Sequence, residues 1–157
     1  RIGVAGAKLL YPNDTIQHAG VIIGLNGLAG HTFVGQSRKD VGYFNYLNVV
    51  SNYSAVTGAC MMFRRDVYDA VNGFDEEFAI EYNDIDFCLR VKEKGYDNIF
   101  VHDVVLYYHE SISRGNPLLN KKSIARHNFE TDLFRDKWQN WGMHHPFTSN
   151  NISSQRC

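Results

Sequence analysis

The chain has 157 residues, of which 44% are hydrophobic and 21% charged, and a formal net charge of -1. That length buries the core of one domain, and the composition is that of an ordinary globular chain, not a disordered or fibrous one. The near-neutral charge gives no footprint for nucleic acid or an anionic lipid surface. No apolar run, Gly20 to Leu25 being typical, reaches membrane-spanning length or makes a signal peptide.

The chain starts at Arg1 directly on a strand-like run, Ile2 to Leu10, which ends at the turn Tyr11-Pro12-Asn13-Asp14. So abrupt a start reads as a fragment that lacks an upstream half. Thr15 to Leu25 alternates well enough for a second strand, with His18 and Gly20 inside it. His18 reads as a satisfied structural histidine ahead of a substrate contact.

Gly24, Gly27 and Gly30 do not form a phosphate loop: the spacing is wrong, no Gly-Lys-Ser/Thr follows, and no helix opens behind them. A flexible loop runs on from His31 to Tyr53. Its Tyr43, Phe44 and Tyr46 suit sugar stacking and ordinary core packing equally.

Gly58 to Tyr96 is the most informative stretch. A strand-like run, Ala59 to Phe63, ends in Arg64-Arg65, and a short helix from Asp66 to Val71 stops at Asn72-Gly73. An acidic and aromatic turn follows. Asn83 is placed to cap a second helix that closes at Gly95. Asp75, Glu76, Glu77, Glu81, Asp84 and Asp86 crowd the start of that helix. Acids there also serve as plain caps that complement the helix dipole.

Beyond it, Asp97 to Val101 and Val104 to Tyr108 read as two strand-like runs, the second ending in His109-Glu110-Ser111. A polar triplet at the end of a buried strand is where an open α/β sheet presents chemistry. Ser113 to Asn120 reads as a loop and Lys121 to Trp141 as a helix, whose Phe129, Leu133, Phe134 and Trp138 fall at core spacing. Residues 142–157 read as a polar tail. Cys60 and Cys88 read as buried free thiols, and with Cys157 they form neither a disulfide framework nor a zinc pattern, which fits a reducing compartment. The three sequons, at Asn13, Asn52 and Asn151, read as coincidence in a chain rich in Asn and Ser.

The ordered set Thr57-Gly58-Ala59, Arg64-Arg65, Asn72-Gly73-Phe74-Asp75-Glu76, Asn83-Asp84-Ile85-Asp86 with Leu89-Arg90, and His109-Glu110-Ser111 resembles the acceptor-side half of family 2 glycosyltransferases. Bacterial rhamnosyltransferase-like members are the nearest. Thr15-Ile16-Gln17-His18-Ala19-Gly20 also matches a hairpin of that family.

The resemblance implies an α/β GT-A fold: a Rossmann-like mixed sheet flanked by helices, here a partial domain over residues 1–141 that lacks the N-terminal nucleotide-binding half. It implies an inverting, metal-dependent transfer of sugar from a nucleotide-sugar donor to a saccharide or lipid-linked saccharide acceptor, in bacterial surface polysaccharide synthesis. Asp84 maps onto the family's base, with Glu81 as the alternative. Asn83 stands where the family has Glu, which keeps a cap but removes a negative neighbour. Gly58, Ala59, Arg65, Asp86 and Ser111 map onto substrate contacts, Asp86 having the alternative task of holding the helix start, with Arg90 one turn below it and able to pair with it. His109 maps onto a ligand of a divalent cation, Mn²⁺ or Mg²⁺, or of the diphosphate.

The family's Asp-x-Asp metal motif is not found near the chain start, so the fragment alone is expected to be inactive and to bind nucleotide-sugar weakly. A homo-oligomer that covers the open sheet edge is expected, as are a cytoplasmic location and peripheral membrane association of the full-length enzyme. A non-catalytic carbohydrate-binding or scaffold domain with the same fold is the alternative.

Overall fold

A computed structural model describes residues 1–25, 28–109 and 121–141. Strand β1 (Ile2–Leu10) is its axis. From Gly3 to Leu10 every residue but Ala5 is buried, as a central strand covered on both faces requires. It pairs antiparallel with β2 (Ile16–His18) and with β6 (Met61–Phe63), and parallel with β7 (Asp97–Tyr107). β5 (Ser51–Tyr53) pairs antiparallel with β7, completing a five-stranded mixed sheet. β3 (Val21–Ile23) and β4 (Ala29–His31) form a separate hairpin.

Helix α1 (Arg65–Ala70) follows β6, and α2 (Asn83–Glu93) packs on the sheet against β1 and β7. Gly3 allows this approach: a Cβ there would lie 2.4 Å from Val91 Cγ1. Helix α3 (Lys121–Trp138) adds Phe134 and Trp138 to the core that contains Val4, Val56, Phe87 and Leu89. A second, smaller core holds Leu10, Ile16, Leu47 and Phe100.

Several elements differ from the sequence-based expectation. The second strand splits into β2 and β3 because Gly20 turns between them at φ +106°. The loop after β4 carries two 3-10 turns over Tyr43–Asn48, kinked at Phe44 and Asn45, and the short strand β5. Asn83 does not cap α2; Tyr82 stands there at φ 62°, and no side chain caps the helix.

The two runs after α2 are one strand. Ala7 pairs with Val101 and the next residue, Lys8, with Val105, so His102, Asp103 and Val104 bulge out between two paired halves. In α3, Phe134 and Trp138 are buried as expected, but Phe129 is half exposed. Cys88 is a buried free thiol, and burial pushes it up to about 12; Cys60 is only half buried. Ser111, the loop from Ser113 to Asn120 and the tail 142–157 lie outside the described residues.

Candidate active site

Asp84 and Asp86 lie in the first turn of α2, two residues apart, and the fold treats them oppositely. Asp84 keeps part of its surface in solvent. Its Oδ2 accepts the Gly58 amide at 2.6 Å and its Oδ1 the Ile85 amide at 2.8 Å. Gly58 is pressed against it, since a Cβ at residue 58 would lie 3.1 Å from Asp84 Cβ. Each carboxylate oxygen keeps a lone pair for a further donor. Gly58 and Ala59 are exposed beside the acid.

Asp86 is fully buried. Arg90 Nε reaches its Oδ2 at 2.8 Å, and Trp138 Nε1 and Lys137 Nζ donate to Oδ1 at 3.0 and 2.9 Å. Arg90 also donates to the carbonyls of Val71 and Gly73. The expected pairing of Arg90 with Asp86 is present. Asp86, expected either to hold the helix start or to contact acceptor, has both oxygens engaged by donors inside the protein.

Lys137 also binds Asp75 Oδ2 at 2.6 Å. That hydrogen bond holds the Asp75 carboxyl below its ordinary value against the opposing effect of burial. Burial alone would lower the Lys137 ammonium, and its bonds to Asp75 and Asp86 together raise it.

Glu81 is also engaged. His127 Nδ1 lies 2.7 Å from Glu81 Oε2, both groups partly exposed. Arg65 is exposed and paired with Asp69 one turn on, so no local contact ties it to the acid. His109 is exposed just past the end of β7. Among the described residues, no group of three or more His, Cys, Asp or Glu side chains is arranged to hold a metal ion. Among the described residues, His109 therefore belongs to no such group.

His18 supports the loop that carries Gly58. It is fully buried, and its Nε2 accepts the amides of Gly20 and Thr57, each at 3.3 Å. The ring proton must then sit on Nδ1, facing His31 Nδ1 at 3.0 Å. Burial, reinforced by His31, holds His18 well below its ordinary value. Sequence reasoning missed this link, as it missed Glu130 and His127; all three join residues 39 to 51 positions apart.

The family model of glycosyl transferase family group 2 matches residues 14–143. The chain belongs to this family. The mixed sheet and its flanking helices are those of a partial GT-A domain. The chain is 42% identical over 156 residues, 99% of its length, to the protein y4gI of Sinorhizobium fredii, described as uncharacterized. It is 37% identical over 114 residues, 72% of its length, to the O-antigen biosynthesis protein RfbC of Myxococcus xanthus. It is 26% identical over 87 residues, 55% of its length, to the N-acetylglucosaminyl-diphospho-decaprenol L-rhamnosyltransferase of Mycobacterium tuberculosis. The matched segments make up 17%, 9% and 28% of those proteins. No solved structure matches significantly.

The two aspartates predict opposite mutant behaviour. Asp86→Asn leaves Arg90 and Lys137 short of a buried countercharge and should cost about 3–5 kcal/mol in urea unfolding. Asp84→Asn keeps an acceptor for Gly58 and should cost roughly 1 kcal/mol or less. Equal losses would contradict the division of roles.

His18 predicts an acid-side instability. Its folded value lies below the unfolded one, near 6.5, so below that pH the unfolded chain takes up a proton that the fold refuses. Its contribution is intact above pH ~6.5 and falls by up to about 1.4 kcal/mol per pH unit below it. Denaturation midpoints measured from pH 8 to pH 5 should fall less steeply in His18→Gln than in the parent.

Proposed function

We propose that this chain is the acceptor-side, base-bearing part of an inverting glycosyltransferase that acts in bacterial surface polysaccharide synthesis. The donor is a nucleotide-sugar, and the acceptor is a hydroxyl of a saccharide, free or lipid-linked. The observation that carries this reading is the partly exposed Asp84 carboxylate, held at the start of α2 by the Gly58 amide beside an exposed Gly58-Ala59 tip. The names of the relatives, O-antigen biosynthesis and decaprenol-linked rhamnosyl transfer, point the same way.

In this reading the free lone pair of Asp84 takes the proton of the acceptor hydroxyl. The hydroxyl oxygen bonds to the anomeric carbon from the face opposite the nucleoside diphosphate, whose bond to that carbon breaks. One bond forms and one breaks at a single centre, so the configuration inverts. The Gly58 bond fixes the carboxylate in the plane in which it meets the acceptor, a positioning effect. Glu81, the alternative base, already holds His127, which ranks it behind Asp84. Exposed Gly58, Ala59 and Arg65 remain proposed substrate contacts, as does Ser111 on sequence grounds.

His109 remains a proposed contributor to the family's divalent cation, whose other ligands would come from outside the described residues; no step is routed through it. Because nucleotide-sugars are cytoplasmic metabolites, the same reading places the reaction on the cytoplasmic side of the membrane. Self-association would cover the exposed apolar residues Met62 and Val104 to Tyr107.

Asp84→Asn in the full-length enzyme should lower turnover about a hundredfold or more while donor affinity changes little. Near-normal turnover would move the base to Glu81, and no turnover by the parent enzyme with any acceptor would favour a non-catalytic saccharide-binding role.

This chain by itself should show no micromolar binding of Mn²⁺ together with UDP- or dTDP-sugars in calorimetry. Tight, metal-dependent donor binding would show that it carries a nucleotide site of its own.

A further inference from the structure

Glu130 has no exposed surface, although it is a carboxylate in the middle of an 18-residue helix. Its oxygens accept three successive backbone amides: Ala79 on Oε1 at 3.2 Å, Ile80 on Oε2 at 3.2 Å and Glu81 on Oε2 at 2.6 Å. Arg126, itself half exposed, stands 3.5 Å away. A buried charge is tolerated only where donors converge on it. The turn from Ala79 to Glu81 and the ionised Glu130 therefore require each other.

That turn leads directly into the acid. Tyr82 follows at φ 62°, a conformation that costs a bulky residue energy and persists only when its surroundings impose it. Here α3 imposes it. The Tyr82 ring stacks on Phe134 at 4.7 Å, and its hydroxyl lies 3.4 Å from Thr131 Oγ1. The Tyr82 carbonyl then accepts the Asp86 amide at 2.7 Å, which starts α2 with Asp84 in its first turn. One face of α3, through Glu130, Thr131 and Phe134, thus sets the path of the backbone by which Asp84 reaches the Gly58 amide.

We propose that Glu130 is a positioning residue of the transferase: its carboxylate fixes the Ala79–Glu81 turn and, through Tyr82, the orientation of Asp84. The inference rests on the reading of Asp84 as the base only for its consequence in turnover. The geometric link is independent of that reading.

The test therefore has two arms, both on the full-length protein. The first uses no substrate. Amide hydrogen exchange is measured in the parent and in Glu130→Gln, which keeps the volume and one acceptor oxygen. The Ala79, Ile80 and Glu81 amides should exchange at least about tenfold faster, and so should the distant Gly58 amide, whose partner is Asp84 Oδ2. A Gly58 amide that keeps the parent rate while the other three accelerate makes Glu130 a local cap only and overturns the proposal, as do four unchanged rates.

The second arm measures nucleoside diphosphate released from a panel of UDP- and dTDP-sugars. Glu130→Gln should lower kcat about tenfold with the donor KM unchanged. It should lower kcat no further when added to Asp84→Asn, because both act through one carboxylate. A fully additive loss overturns the positioning role. An Asp84→Asn enzyme of normal turnover sinks the assignment of the base and leaves the exchange result to decide Glu130. If Glu130→Gln does not fold, Glu130→Asp, one methylene shorter and still charged, carries both arms with the same expected outcomes.

Discussion

Asp86 has no solvent-exposed side-chain surface, yet three donors from two helices converge on it: Arg90 from α2, and Lys137 and Trp138 from α3. A carboxylate in such a place is expensive to desolvate and is kept ionised only by partners of good geometry. The two charged partners each have a second task. Arg90 holds the carbonyls of Val71 and Gly73, where the chain leaves α1. Lys137 holds Asp75 in the following turn. One buried charge thus ties the end of α1, the acidic turn, α2 and α3 into a unit, and the rings of Phe63, Tyr68, Phe74 and Phe87 fill the space beside it. Replacing the cluster with apolar side chains would serve stability as well or better. What the ionic version adds is a single allowed arrangement of those elements.

Helix geometry then separates the two aspartates. Residues two apart on an α-helix point in nearly opposite directions, about 200° apart at 3.6 residues per turn. With Asp86 locked inward, Asp84 must face outward, toward the Thr57-Gly58-Ala59 loop. That loop is fixed from its other side by His18, whose Nε2 takes the Thr57 amide. The base candidate is therefore gripped between two independently anchored pieces of backbone, one held by α3 and one by the β2 strand.

Much of this was legible in the sequence for physical reasons. The buried run of β1, the helical period of α2 and the Asp-x-Asp spacing at its start are local patterns, and local patterns survive without knowledge of the fold. The link from Arg90 to Asp86 was legible because it spans one helical turn. The links that set the geometry were not. Glu130 and the Ala79–Glu81 amides are about fifty positions apart, and a glutamate in mid-helix looks like any solvated one. Asn83 carries the signal of a cap, but Tyr82 occupies that place because ring stacking on Phe134 outweighs the local preference of Asn. The bulge at His102, Asp103 and Val104 made one strand look like two, since alternation breaks wherever residues leave the ladder.

The distribution of cost in this chain is itself informative. Buried charge at Asp86 and Glu130, a left-handed Tyr82 and a neutral buried histidine at residue 18 all lower the stability that the same volume of apolar residues would give. Elsewhere the fold is conventional: the core around Val4, Phe87 and Leu89 is apolar, and most ion pairs away from the site lie on the surface, where they are worth little. The costly features converge on the residues from Asp75 to Asp86 and on the Thr57-Gly58 loop that meets them. A sequence under selection for stability alone would not keep four such departures in one place. Their convergence on one partly exposed carboxylate is the physical argument behind the proposal for Asp84.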